Sequence, residues 1–158
     1  MHASPVNTAD LYDERGEELD SVPLQFQSLG GRSHFSGSAR TIRCFEDNAL
    51  VKTTLALPGD GSVLVVDGGG SLRTALMGDM IAASAVANGW AGVVINGAVR
   101  DRAALAELPL GVKALGSNPR KSAKAGAGES GVELEIGGVT VRPGVMIWCD
   151  PDGILVER

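Results

Sequence analysis

Apolar residues fall in short blocks along the chain, and polar or glycine-rich punctuation separates the blocks. F-S-G-S-A-R-T-I-R-C-F (35–45) alternates and is β-branched, which predicts a strand. S-V-L-V-V-D-G-G (62–69), A-G-V-V-I-N-G (91–97) and L-G-V-K-A-L-G (110–116) are unbroken apolar runs of the kind buried strands use. Between them the spacing turns helical. T-A-L-M-G-D-M-I-A-A-S-A-V-A-N-G (74–89) predicts a helix from about Gly78 to Asn88, with Gly89 as its stop. R-D-R-A-A-L-A-E-L (100–108) predicts a short helix, and E-D-N-A-L-V-K-T-T-L-A-L (46–57) another, with acids at its start. Asn7 or Thr8 is placed to cap a further helix through A-D-L-Y-D-E-R.

The remaining segments are punctuation and hairpins. Residues 16–33 read as a loop with one extended piece, and P-G-D-G (58–61) as a turn. N-P-R-K-S-A-K-A-G-A-G-E-S-G (118–131) is a polar, basic, glycine-rich loop. V-E-L-E-I-G-G-V-T-V (132–141) turns at Gly137-Gly138, and M-I-W-C-D-P-D-G-I-L-V-E (146–157) turns at Pro151-Asp152-Gly153. A central β-α-β-α-β unit followed by antiparallel hairpins predicts an α/β protein with a mixed sheet and helices packed on it. Residues 1–158 read as one domain without an internal repeat.

Composition narrows the function classes. The 44% apolar fraction supports a core, but aromatics are only 4%, so that core is aliphatic. A net charge of −5 argues against a nucleic-acid footprint, though not against a small anion held by a local positive site. Cys44 and Cys149 sit in strand-like blocks with no CxxC or Cys/His cluster, as buried thiols in a reducing compartment would. The start lacks a basic and then apolar leader, and no apolar run approaches the ~20 residues a membrane span needs. A soluble cytoplasmic protein is expected, with no membrane or direct nucleic-acid partner.

Three stretches carry candidate chemistry. Gly68-Gly69-Gly70 follows a strand, but neither G-x-G-x-x-G nor G-K-[ST] is present, so a tight turn is the better reading than a phosphate loop. At Met77-Gly78-Asp79-Met80-Ile81 a helix begins. Its unpaired amides and dipole suit a carboxylate ligand, with Gly78 permitting close approach. Alternatively, Asp79 caps its own helix. Arg100-Asp101 ends the next strand, where ligands collect in α/β sheets. Arg100 offers a planar donor fork and Asp101 a hard oxygen for Mg²⁺ or Mn²⁺, with Asp79 as a second oxygen. A surface ion pair capping the following helix explains Arg100-Asp101 equally well.

Asp79, twenty intervening residues, then Arg100-Asp101 resembles the D-x20-R-D signature of the RraA-like family. V-V-D-G-G-G-S-L-R-T-A-L-M-G-D, V-V-I-N-G-A-V-R-D, G-E-S-G-V-E-L-E-I-G-G-V-T-V-R-P-G and D-P-D-G-I-L-V resemble family blocks in order. That family contains 4-hydroxy-4-methyl-2-oxoglutarate aldolases and regulators of ribonuclease E activity. Some members carry the label demethylmenaquinone methyltransferase, but this chain has no glycine-rich adenosyl-binding motif followed by an acidic ribose contact.

The resemblance implies a swivelling β/β/α domain in a homotrimer with sites between subunits. It implies that the amides of Gly78, Asp79, Met80 and Ile81 bind a substrate carboxylate, and that Arg100 contacts the substrate's carbonyl side. It also implies that Asp101 ligates the divalent metal and that Asp79 holds a metal-bound water. Retro-aldol cleavage of a 4-hydroxy-2-oxo acid, with oxaloacetate decarboxylation through the same enolate, is the expected chemistry. An imine route would need a desolvated lysine, and Lys52, Lys113, Lys121 and Lys124 lie in polar or amphipathic contexts. The alternative is a non-catalytic protein that binds a ribonuclease E-type enzyme, and net acidity suits a basic partner surface.

Departures from the family pattern bear on activity. Aldolase members draw an acidic metal-site residue from a C-terminal extension of the neighbouring subunit, and this chain, running to Arg158, is expected to lack it. Ala104 stands where some regulator-like members have an acid, and Val145, after Pro143-Gly144, stands where an acid is common in the family. Trp90 and Trp148 read as core or interface anchors, and His34 as a surface or strand residue; with His2 it makes no metal site. The basic loop with Arg120, Lys121 and Lys124 reads as a solvated face or as a neighbour of the site. Glu129 in G-E-S-G reads as a turn residue, with a place facing the site as the alternative.

Overall fold

Strands form where the apolar blocks sit, and those of the central unit are buried on both faces. The computed structural model describes residues 5–158, so His2 lies outside the described residues. The helices are α1 (Thr8–Arg15), α2 (Ala49–Leu55), α3 (Asp79–Ala87) and α4 (Arg102–Ala106). The strands are β1 (Leu19–Ser21), β2 (Gln27–Ser28), β3 (Phe35–Arg43), β4 (Val63–Asp67), β5 (Gly92–Val99), β6 (Gly111–Ser117), β7 (Glu129–Ser130), β8 (Leu134–Ile136), β9 (Val139–Val141), β10 (Met146–Asp150) and β11 (Gly153–Glu157).

The sheet runs β1-β11-β10-β3-β4-β5-β6-β2, with β7 on the edge of β3 and the β8–β9 hairpin separate. The parallel core is β3-β4-β5-β6. Long β3 joins two pairing modes. Phe35–Ser38 pair antiparallel with β10, and Ala39–Arg43 pair parallel with β4. The period-2 geometry of a strand then divides one apolar run between two cores. Leu64, Val66, Val93 and Ile95 face α2 and α3, meeting Val51, Leu55, Ala82 and Ala85. Val63, Val65 and Val94 face the other way, onto the β8–β9 hairpin and the β10–β11 strands. The outer face of β10–β11 packs Trp148 and Leu155 against Leu11 of α1.

The mixed α/β architecture and both hairpin turns stand as expected. Three local readings are corrected. Residues 16–33 hold two edge strands and a 3-10 turn at Gly16–Glu18 rather than one extended piece. These are too short to alternate, and the existing sheet edges recruit them. The helix expected over 46–57 begins only at Ala49, because Glu46 is left-handed at φ 53° and Asp47 accepts the Ala49 N–H at 3.1 Å. The helix expected over 100–108 begins at Arg102, because Asp101 is left-handed at φ 65°.

Lys113 is a further correction. It is buried, not amphipathic, because both faces of the sheet are covered there. Its Nζ donates to the Asp150 carbonyl at 2.6 Å, and burial pushes its ammonium below the usual lysine range against the pull of Cys149, Asp150 and Asp152. Both cysteines are buried as expected. Burial, then Asp47 and Asp67, raise the Cys44 thiol to about 11, and burial raises Cys149 too, so both are poor nucleophiles. Among the described residues, no helix is long and apolar enough to cross a membrane.

Asp150 is buried and ties α1 to the sheet. Its carboxylate accepts the Thr8 N–H and the Thr8 hydroxyl, each at 2.7 Å. Burial would raise that carboxyl, but bonds from Thr8, Asp152 and Gly153 hold it below the usual carboxylate range. A carboxyl lowered on folding contributes stability above its unfolded value, about 4, and loses it as pH falls through the folded value. Asp150→Asn is therefore expected to cost roughly 1–3 kcal/mol at neutral pH and to flatten the acid limb of the stability profile. Melting midpoints measured from pH 2 to 7 check this; an acid limb as steep as the parent's would remove Asp150 from the role.

Candidate functional site

Two neighbouring strand ends meet at one cavity. The chain leaving β4 turns at Gly69 and Gly70, both left-handed (φ 67° and 74°), so the triple glycine is a turn. It then returns to β5, where the Leu76 N–H donates to the Ala98 carbonyl, and enters α3 at Gly78. Next to it, β5 ends at Val99 and delivers Arg100 and Asp101. The Arg100 N–H donates to the Met77 carbonyl at 3.0 Å, so the two segments are joined at the backbone.

The Asp101 carboxylate bears on the two capping readings left open by the sequence. It does not cap its own helix, and Asp79 does not cap α3. Instead, Asp101 Oδ2 accepts the Asp79 N–H at 3.0 Å, across the gap between the two strand ends. Among the described residues Arg100 and Asp101 form no ion pair with each other; the Arg100 Nη1 donates to the Pro119 carbonyl at 3.3 Å. Arg100 and Asp101 are both exposed to solvent. A methyl group on Gly78 would stand 2.7 Å from Asp101 Oδ2 and 3.2 Å from Arg100 Nε, so glycine is what lets the three residues converge.

The cavity measures about 300 Å³ and brings together Gly78, Asp79, Met80, Ile81, Arg100 and Asp101. This volume suits a small metabolite. One of the α3 amides, that of Asp79, is engaged by Asp101; those of Met80 and Ile81 lie in the first turn, with no carbonyl one turn back to bind.

Residues the sequence reading missed complete the walls. Asn48, Lys52 and Ala56 line one side at helical spacing, one face of α2 continued past its end. That spacing was the available signal. Ser84 adds to the α3 face, and Lys121 and Lys124 also line the cavity. The basic loop is therefore a neighbour of the site rather than only a solvated face. It is held in place by short backbone bridges, Lys121 to Ala75 and Ala123 to Asp47. Four cationic side chains (Lys52, Arg100, Lys121, Lys124) and two carboxylates (Asp79, Asp101) share the cavity.

Other candidates fall elsewhere. Glu129 lies in β7, pairs with Arg43 at 3.5 Å, and does not line this cavity. His34 is half-buried beside Ser33. Trp90 is core, its Nε1 donating to the Leu57 carbonyl, and Trp148 is core beneath Arg15.

A family model for RraA-like proteins (Aldolase/RraA) matches residues 8–156. The chain belongs to the RraA-like family. The solved structure of the RNA-processing inhibitor RraA from Thermus thermophilis is similar to it, with 51% identity and a TM-score of 0.93, covering 99% of this chain and 93% of that one. A structure from Geobacillus kaustophilus HTA426, named an S-adenosylmethionine: 2-dimethylmenaquinone methyltransferase, shows 47% identity and a TM-score of 0.95 over 96% of this chain and 94% of that one. RraAS2 of Streptomyces coelicolor, named an unusual member of the RNase ES inhibitor RraA family, shows 28% identity and a TM-score of 0.76 over 98% and 79%. The RraA-like family includes both aldolase-type members and ribonuclease E inhibitors.

Proposed function

We propose that this RraA-like protein is a divalent-metal-dependent lyase. It cleaves 4-hydroxy-4-methyl-2-oxoglutarate to two pyruvates by a retro-aldol reaction and decarboxylates oxaloacetate as a second activity. The observation that carries this reading is the convergence of the α3 N-terminus, Arg100 and Asp101 on one cavity of metabolite size.

The donor set fits a hard cation. Asp101 Oδ2 is tied to the Asp79 amide, which restrains the carboxylate and leaves Oδ1 as the oxygen that would meet a cation. Among the described residues no cluster of three or more His, Cys, Asp or Glu exists, so Asp101 and Asp79 would hold Mg²⁺ or Mn²⁺ together with waters and substrate oxygens. When bound, the ion would supply Lewis-acid polarisation of the 2-oxo acid. The Met80 and Ile81 amides orient the substrate carboxylate at the positive end of α3. As a base takes the C4 hydroxyl proton and C4 becomes a carbonyl, the C3–C4 bond breaks and its electrons pass into the pyruvate enolate, which then takes a proton at C3. Arg100, held by Pro119, directs its donor fork at the enolate oxygen that becomes negative. An imine route has little support: Lys52, Lys121 and Lys124 are exposed, and the buried Lys113 does not line the cavity.

The test is pyruvate release from both substrates, with Mg²⁺ or Mn²⁺ and with a chelator. Metal-dependent turnover is expected; turnover indifferent to the chelator, or none, sinks the reading. Gly78→Ala is a gentler probe, since φ is −120° there and a side chain costs no backbone strain. It is expected to lower kcat/KM by about 10–10²-fold through displaced Arg100 and Asp101, with the melting midpoint nearly unchanged. Unaltered kinetics would mean the close approach is irrelevant to chemistry.

A second reading draws on the relatives named as RNA-processing and RNase ES inhibitors. In it the protein binds a ribonuclease E-type enzyme without turnover; co-sedimentation with that enzyme at moderate salt tests it. In either reading we propose a homotrimer, supported by large apolar side chains left exposed at Phe45, Leu72 and Met80. Sedimentation equilibrium gives the mass.

A further inference from the structure

The buried carboxylate of Asp47 lies outside the cavity, yet it organises two of its walls. Asp47 is 3% exposed. Its Oδ1 accepts the Ala49 N–H at 3.1 Å and the Gly126 N–H at 3.3 Å. Its Oδ2 accepts the Ala125 N–H at 3.0 Å and the Ala127 N–H at 3.3 Å. One bond starts α2, which carries Lys52; the other three gather the loop that follows Lys121 and Lys124. The backbone adds two more ties, Asn48 N–H to the Ala123 carbonyl at 3.0 Å and Ala123 N–H to the Glu46 carbonyl at 2.9 Å. On the far side, Ser122 Oγ donates to the Ala75 carbonyl at 2.7 Å and the Ala75 N–H donates to the Arg120 carbonyl at 2.8 Å, fastening the same loop to the approach to α3.

Charge says what those walls are for. A 2-oxo acid head group needs only the α3 amides, Arg100 and the Asp101 end of the cavity. With Lys52, Lys121 and Lys124 on two separate elements around the same space, the four cations exceed the two carboxylates, Asp79 and Asp101, and the cavity keeps net positive charge. Net positive charge in one cavity costs free energy through mutual repulsion, and a further anion relieves it. We propose that these three lysines form a subsite for a second, distal carboxylate of the ligand, and that Asp47 is the positioning residue that sets them around it. The inference rests on the proposed 2-oxo acid site but not on turnover there.

Binding alone tests it. Pyruvate and 2-oxoglutarate share the 2-oxo acid head, and only the second carries a distal carboxylate. Calorimetric titration of the full chain with each, in the presence of Mg²⁺, is expected to show tighter binding of 2-oxoglutarate. Lys52→Ala and Lys121→Ala should each weaken 2-oxoglutarate by about tenfold while pyruvate changes about twofold or less, as expected for one charge-assisted hydrogen bond lost. Asp47→Asn keeps the shape but removes the charge and one acceptor. It should reduce the 2-oxoglutarate preference similarly and speed amide exchange at 125–127. Asp47→Ser, whose hydroxyl still accepts one N–H, carries the same expectation should the asparagine variant not fold, and the lysines, being exposed, test the subsite independently of either.

Equal losses for both ligands, or lysine variants that bind both like the parent, overturn the subsite. An unchanged preference in folded Asp47 variants overturns the positioning role. Discrimination without turnover on any 2-oxo acid would leave this inference standing and remove the lyase reading. Turnover without discrimination would do the reverse.

Discussion

Arg100→Ala is expected to lower kcat for pyruvate release from oxaloacetate by about 10²–10³-fold, the usual effect of removing one donor to a developing oxyanion. Arg100 is exposed and contributes only its backbone and one bond to Pro119 to the local structure, so the melting midpoint should hardly move. Asp101 needs a finer comparison, because its carboxylate also receives the Asp79 N–H. Asp101→Ala removes both that bond and the oxygen proposed for the metal. Asp101→Asn keeps a carbonyl acceptor for the amide but is a far poorer ligand for a hard cation. If the metal role is real, the asparagine variant should be about as inactive as the alanine one and should bind Mn²⁺ more weakly in a direct titration. Near-parental activity in Asp101→Asn would reduce Asp101 to a structural cap on α3.

The second large effect lies in the sheet. Gly92 and Gly111 are paired directly across β5 and β6, and the ring of Phe35 lies over both. A methyl group on either would occupy the space of that ring. Gly111→Ala is expected to destabilise the protein by about 3 kcal/mol, at the upper end for overpacking a core. For a domain of this size that is a fall of roughly 10 °C in melting midpoint. Shrinking the ring should relieve the clash: Phe35→Leu costs stability alone but should recover part of the loss in the Gly111→Ala background. The two changes would then couple by more than about 0.5 kcal/mol in a double-mutant cycle. Strict additivity would show that the ring yields at no cost.

Much of the fold was legible in the chain because short-range physics specified it. The runs at 62–69, 91–97 and 110–116 formed strands because their residues are apolar without a break, which suits a strand buried on both faces. Gly89 stopped α3, at φ 78°, and Gly137 and Gly138 turned the hairpin at φ 58° and 81°, all conformations that favour glycine. The edge strands β1 and β2 were not legible, since two or three residues carry no period. Lys113 was misread because its burial depends on tertiary cover over both faces of the sheet, and its partner, the Asp150 carbonyl, is 37 residues away in sequence.

The candidate site divides the same way. Residue types and spacing fixed which groups are chemically able to act: an arginine and an aspartate at one strand end, a glycine and an aspartate at the next. Their arrangement required tertiary structure. Whether Asp101 caps its own helix or reaches the amide of Asp79 depends on the left-handed turn at Asp101 and on Gly78 leaving room, and both follow from β4 and β5 lying side by side. The lysine walls and Asp47 were equally hidden, because they come from segments far apart in sequence (Asp47 and Ala125 are 78 residues apart) that the Asp47 carboxylate and backbone bridges bring together. Local propensity chose the elements; long-range packing chose which charges face one another.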